Sequence, residues 1–160
     1  MIVVGIDPGL GCTGYAVLEG EMGSTAPRLI EAGAIRSTAT DALPLRLLQI
    51  RTEILSVLQE FSPDAMGLED LYTEYRFPRT ALMMAHARGA ICLAAAEQGV
   101  PVWGFAARQV KAAITGYGAA DKSQVQQTVA RLLGLAKPPT PHDVADAMAI
   151  ALTAFRRGGP

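Results

Sequence analysis

Met1-Ile-Val-Val-Gly-Ile-Asp-Pro-Gly-Leu-Gly-Cys-Thr-Gly14 joins a short apolar run, Ile2 to Ile6, to a carboxylate and a glycine-rich turn. A β-branched run of that length reads as a strand buried on both faces. Asp7 stands at its end, and Pro8, Gly9, Gly11 and Gly14 leave the mouth beyond it open to a phosphate or a metal ion. Asp-Pro-Gly is also an ordinary turn sequence, so the meaning of Asp7 depends on whether the rest of the chain supplies partners for it. Tyr15 to Leu18 is close enough to return as an antiparallel neighbour.

Working outward, 160 residues suit one domain, residues 1–160, with a sizeable core. Half of the residues are apolar and mean hydropathy is +0.24, which excludes a disordered chain. Cys12 and Cys92 lie far apart without metal-ligand spacing, which predicts a reducing, cytoplasmic compartment. No basic-then-apolar leader precedes the first strand, so no signal peptide is expected. Ala81 to Ala96 is the longest apolar stretch, but it contains His86 and Arg88 and is too short to span a bilayer. Net charge is −1, so a chain-wide basic signature for nucleic acid is missing.

After a turn over Gly20 to Ala26, Arg28 to Arg36 reads as a third strand, completing a three-stranded antiparallel meander over residues 1–37. Asp41 is expected to cap a helix whose apolar face carries Leu43, Leu47, Ile50, Ile54, Leu55 and Leu58. Ser62-Pro63-Asp64 ends it, and Ala65 to Glu69 is a fourth strand closing on two more carboxylates, Glu69 and Asp70. Residues 71–79, LYTEYRFPR, form a loop mixing aromatics with cations. A long helix over Thr80 to Gln98 stops at Gly99, and Val100 to Phe105 is a fifth strand. Helices follow over Ala106 to Ile114, over Lys122 to Leu133 with Asp121 as cap, and over His142 to Arg156. This order predicts an α/β fold with a mixed five-stranded sheet, the meander plus two parallel strands, and helices on both faces. A right-handed crossover would make the first and fourth strands neighbours, placing Asp7 beside Glu69.

The last helix opens Thr140-Pro141-His142-Asp143-Val144-Ala145-Asp146. Thr140 as cap, Pro141 at the first helical position and Asp143 three residues after the cap would form a capping box. Asp146 lies one turn further in, ahead of the apolar run from Ala147, and shares a side of the helix with Asp143. A carboxylate entering a packed helix needs a partner. Asp7, Glu69, Asp143 and Asp146 together cannot all stay ionised unless a divalent cation neutralises them. All-oxygen ligands select Mg²⁺ or Mn²⁺, and two ions about 3.5–4 Å apart could clamp a phosphodiester.

With the stretches GIDPGLGCTGYAV, GLEDLY, Ala87-Arg88-Gly89, AARQVKAAITGYGAADKSQVQ and HDVADAMAIAL in hand, the chain resembles the RuvC-type Holliday-junction resolvases of the ribonuclease H-like fold. The matching stretches span nearly the whole chain. The resemblance implies an endonuclease that cuts four-way DNA junctions by paired nicks, leaving 5′-phosphate and 3′-hydroxyl ends, in recombination and repair. It implies that Asp7, Glu69, Asp143 and Asp146 are the metal-binding acids and that Lys111 and Lys122 lie near the scissile phosphate, Lys122 stabilising charge that develops on it. His142 adjoins one of the acids but stays outside that set. Tyr72 takes the place of an aromatic inserted at the junction centre, where stacking on an unpaired base contributes about 1–3 kcal/mol; Tyr75 and Phe77 are rivals for that role. Arg76, Pro78 and Arg79 replace asparagine and serine expected ahead of the long helix, and His86 replaces a glutamine, which bears on base preference more than on chemistry. Setting the four acids aside moves the net charge from −1 to +3. Arg76, Arg79, Lys111 and Lys122 could then line one DNA-facing side with Arg156 and Arg157, giving salt-sensitive binding.

The helix over Thr80 to Gln98 is apolar almost all round, so another element or a twin helix in a homodimer must cover it. A two-fold dimer would present two sites to a two-fold junction. A branch-migration motor is a further expected partner, and a membrane is not. Among competing readings, an ATPase of the actin and sugar-kinase type needs two lobes and a second phosphate loop. A non-catalytic junction binder has no use for four acids, and cutting RNA in a hybrid is a variant within the same fold.

Overall fold

A computed structural model describes residues 1–21, 23–24, 26–71 and 78–159, with Pro78 described by its backbone alone. The sheet has strand order β3-β2-β1-β4-β5. It is built from β1 (Ile2–Asp7), β2 (Cys12–Glu19), β3 (Arg28–Arg36), β4 (Ala65–Glu69) and β5 (Val102–Phe105). β1 pairs antiparallel with β2, and β2 with β3, whereas β4 runs parallel to both β1 and β5. The meander, the two parallel strands and the β1–β4 adjacency are those the sequence predicts.

Side chains of β1 alternate between two buried layers, as the two-residue period of a strand requires. Val4 and Ile6 pack towards α1 (Leu43–Phe61) and α2 (Pro78–Glu97). Val3 faces the layer of α3 (Ala107–Thr115), α4 (Lys122–Leu132) and α5 (His142–Arg157). Helices therefore cover both faces. No described helix is long and apolar enough to cross a membrane.

α5 is the centre of the second layer, buried along nearly its whole length from Val144 to Phe155. Glycines let its backbone lie directly on the sheet. A Cβ at Gly5 would stand 2.8 Å from that of Ala151, one at Gly67 would stand 3.0 Å from Ile150 Cγ2, and one at Gly14 would run into the Asp143 carbonyl. Gly14, which the sequence places in a loose glycine-rich turn, is thus a strand residue cleared for helix contact. The turn itself is tight: Thr13, fully buried, donates its hydroxyl to the Gly9 carbonyl at 2.8 Å.

Two expected caps are absent. α1 begins at Leu43 with Ala42 as its cap and no side-chain bond, because Asp41 belongs to the preceding turn, its amide bonded to the Thr38 carbonyl. α5 begins at His142 with Pro141, not Thr140, in the cap position and again no side-chain bond. Thr140 is then one residue too early to reach the first amides, and Asp143 closes no capping box. Asp121 does cap α4, accepting from the Gln124 amide at 2.8 Å while Gln124 Oε1 accepts from the Asp121 amide at 2.9 Å.

Candidate active site

Register explains how distant acids meet. Gly5 and Gly67 are paired across β1 and β4 and both face α5. Two residues on in each strand, on the same face, stand Asp7 and Glu69. Asp7 is also paired with Gly14 on β2, and the Asp143 backbone rests on Gly14. The first turn of α5 is thereby seated over the end of β1, and Asp146, three residues on, joins the same group. All four carboxylates line one cleft of about 790 Å³.

Their electrostatics follow from that crowding. Burial, then the charges of Glu69, Asp146 and Asp143, push the Asp7 carboxyl up to about 8, and a hydrogen bond in which the protonated Asp7 is donor to Glu69 adds to this. Glu69 is raised chiefly by burial, offset by the bond from Asp7 and by Lys122 and Lys111. Asp146 is raised by burial and by Asp143, against the pull of Lys122, His142 and Lys111. Cys12, at the start of β2, hydrogen-bonds Asp143 and has its thiol raised, mainly by burial.

The remaining predicted residues divide. Lys111, Lys122 and Arg79 line the same cleft. Lys122 is the first residue of α4, where the Asp121–Gln124 capping pair fixes the helix start. His142 is exposed and held by Gln126 of α4. Tyr72, Tyr75, Arg76 and Phe77 lie outside the described residues.

Arg88 and Arg46 carry contacts that sequence reasoning did not assign. From α2, Arg88 donates Nε to the Glu69 carbonyl at 3.1 Å and Nη2 to Asp70 Oδ1 at 2.9 Å. Asp70 in turn donates its amide to the Phe105 carbonyl at 2.9 Å, and its carboxylate occupies the space a Cβ on Gly104 would take. Asp70 is therefore a structural acid that anchors the strand end beneath Glu69. The signal for Arg88 was a lone fixed cation within an apolar helix. For Arg46, it was a cation in the first turn of a helix, where the dipole disfavours one.

Among the described residues no three His, Cys, Asp or Glu side chains are drawn together closely enough to hold a metal ion as they stand. The donor set nonetheless fits a divalent cation: four hard oxygen donors, three of them held up by burial and mutual repulsion, face one cleft. An open arrangement suits Mg²⁺, which is held through one or two carboxylates and shares its remaining positions between water and phosphate.

Comparison with known proteins places the chain in a family. A curated relative from Rhodopirellula baltica, "Crossover junction endodeoxyribonuclease RuvC", is 50% identical over 152 residues, covering 94% of this chain and 83% of the relative. The Thermus thermophilus RuvC structure in complex with a Holliday junction substrate superposes with a TM-score of 0.91 at 38% identity, covering 99% of this chain and 96% of that one. The yeast mitochondrial Holliday junction resolvase Ydc2 shares the fold at 13% identity, with a TM-score of 0.67 over 96% of this chain and 77% of its own. The family profile described as crossover junction endodeoxyribonuclease RuvC matches residues 3–154, and the chain belongs to that family.

Proposed function

We propose that this chain is a structure-selective endonuclease that resolves four-way DNA junctions by paired symmetric nicks, acting in homologous recombination and DNA repair. The observation that carries this reading is the convergence of Asp7, Glu69, Asp143 and Asp146, from three elements, on one cleft with lysines at its edge. Residues 1–160 act as one nuclease domain, in the cytoplasm.

The family is metal-dependent. In the proposed site Asp7, Glu69, Asp143 and Asp146 would hold two Mg²⁺ or Mn²⁺ ions. Such ions supply Lewis-acid stabilisation of the phosphate and lower the pKa of bound water. Lys122 and Lys111 place ammonium groups against the scissile phosphate and stabilise charge developing on its oxygens. Water adds to phosphorus, the 3′-oxygen leaves and takes a proton, and the products are a 5′-phosphate and a 3′-hydroxyl. Arg76 and Arg79 contact the DNA backbone, and Tyr72 stacks at the junction centre.

A homodimer brings two such clefts to one junction. Support comes from the outer stripe of α2, where Leu82, His86, Gly89 and Leu93 recur at alternating four- and three-residue spacing and all are exposed. Leu82 and Leu93 are 60% and 54% exposed, and Leu48 of α1, which lines one groove with Leu93, 56%. A Cβ at Gly89 would meet nothing within 4 Å among the described residues, so a second backbone can approach there. A branch-migration motor is the further partner.

The test is a labelled four-way junction with Mg²⁺ or Mn²⁺, beside duplex, RNA–DNA hybrid and ATP controls. Paired nicks near the crossover are expected, with binding but no cutting in Ca²⁺. ATP turnover without junction cleavage would return the chain to the ATPase reading.

A further inference from the structure

Arg46, in the first turn of α1, reaches over to the loop that follows Asp7. Its Nε donates to Ser37 Oγ at 2.8 Å and its Nη2 to the Leu10 carbonyl at 3.2 Å, while the Ser37 hydroxyl also donates to that carbonyl. Leu10 is buried and Arg46 is half-buried, so the contact joins α1 and the end of β3 to the turn beyond the acid. Among the described residues the guanidinium makes no ion pair. The ion pairs among the described residues are Arg28–Glu19, Arg51–Glu97 and Arg88–Asp70. A cation at a helix start also opposes the helix dipole. Yet Arg46 lines the same cleft as Asp7 and Glu69. Two of its five N–H groups are committed to Ser37 and Leu10, which leaves donors of a fixed fork for an anion.

We infer that Arg46 is a phosphate-binding residue of this cleft, its guanidinium pre-oriented by Ser37 and the Leu10 carbonyl to take a backbone phosphate of the DNA strand that enters beside Asp7. Restraint of the fork before binding reduces the ordering cost, and a planar fork suits phosphate better than a flexible ammonium. The inference rests on the nuclease reading and adds a contact that the four acids and two lysines do not supply.

Binding of an immobile four-way junction is measured in Ca²⁺ across a salt series for the wild type, Arg46→Gln, Arg46→Lys and Ser37→Ala, with melting temperatures alongside. Arg46→Gln keeps a donor for Leu10 without charge; it should reduce the slope of log affinity against log salt by about one. Its affinity deficit then narrows about 3–4-fold between 50 and 200 mM salt. Arg46→Lys should keep the wild-type slope, as should Ser37→Ala, which loosens the strap alone. An unchanged slope in Arg46→Gln with normal junction binding would overturn the inference and leave Arg46 as a loop strap. If the wild type shows no preference for junction over duplex, the nuclease reading fails first, whatever Arg46 does.

Discussion

Asp7 titrates near pH 8 because burial and three neighbouring carboxylates oppose its ionisation. A folded state that binds more protons than the unfolded one loses stability as pH rises. In chelated protein the contribution from Asp7 is therefore fully present below about pH 4 and lost as pH rises through about 8. Asp7→Asn removes this dependence: calorimetry on the chelated protein should show a higher Tm than wild type at pH 8 and no advantage near pH 4. Mg²⁺ should raise the wild-type Tm more than the variant's, and the variant should cleave about 10²–10³-fold more slowly while still binding junctions in Ca²⁺. Parallel Tm profiles would show that the carboxyls do not repel one another. The four acids were legible because each is a carboxylate at a strand end or entering an apolar helix. The strength of their repulsion was not, since it arises from register and burial. Arg46 and Ser37 escaped because their bond spans a loop whose shape the residue types do not specify.

Two contacts between elements set the geometry of the site. The α5 backbone lies on Gly14, so Gly14→Ala must displace the helix start or strain the strand, at about 1–3 kcal/mol in urea unfolding. Cleavage should fall with it, because Asp143 is carried by the displaced turn. Gly11→Ala is the matched control: a Cβ there meets nothing within 4 Å among the described residues, and stability should be unaltered. Arg88 ties α2 to the Glu69 carbonyl and to Asp70. Arg88→Ala should raise the Mg²⁺ concentration for half-maximal cleavage about 10–100-fold, the usual cost of losing an outer contact that orients a ligand. A wild-type metal titration would reduce Arg88 to a surface pairing. Element identities and order were readable from apolar runs and breakers such as Ser62-Pro63-Asp64. Starts of helices were not, because a capping residue one position early, like Thr140, looks the same in sequence as one in place. Gly5, Gly14 and Gly67 likewise reveal their purpose only when a helix crosses them.

At the scale of the molecule, cations and acids are sorted so that a nearly neutral chain can hold a polyanion. Arg46, Arg79, Lys111 and Lys122 line the same cleft as the four acids, so the divalent charge proposed within it and the basic side chains around it would act together on the strand. Pairing through α2 would set two such clefts about one axis. Leu82→Glu with Leu93→Glu should give a monomer by light scattering. On a cruciform plasmid the products should shift from linear to nicked circles, and a persistent dimer with linear products would exclude this face. The placement of α5 has a further consequence for when activity begins. Half of the acids arrive on the last helix, whose backbone must settle on the glycines of a sheet formed from residues synthesised earlier. With the proposed ligand assignment, a nascent or truncated polypeptide lacking that helix would have only half of its metal-binding acids, so a ribosome-bound fragment would not nick DNA before its fold is finished.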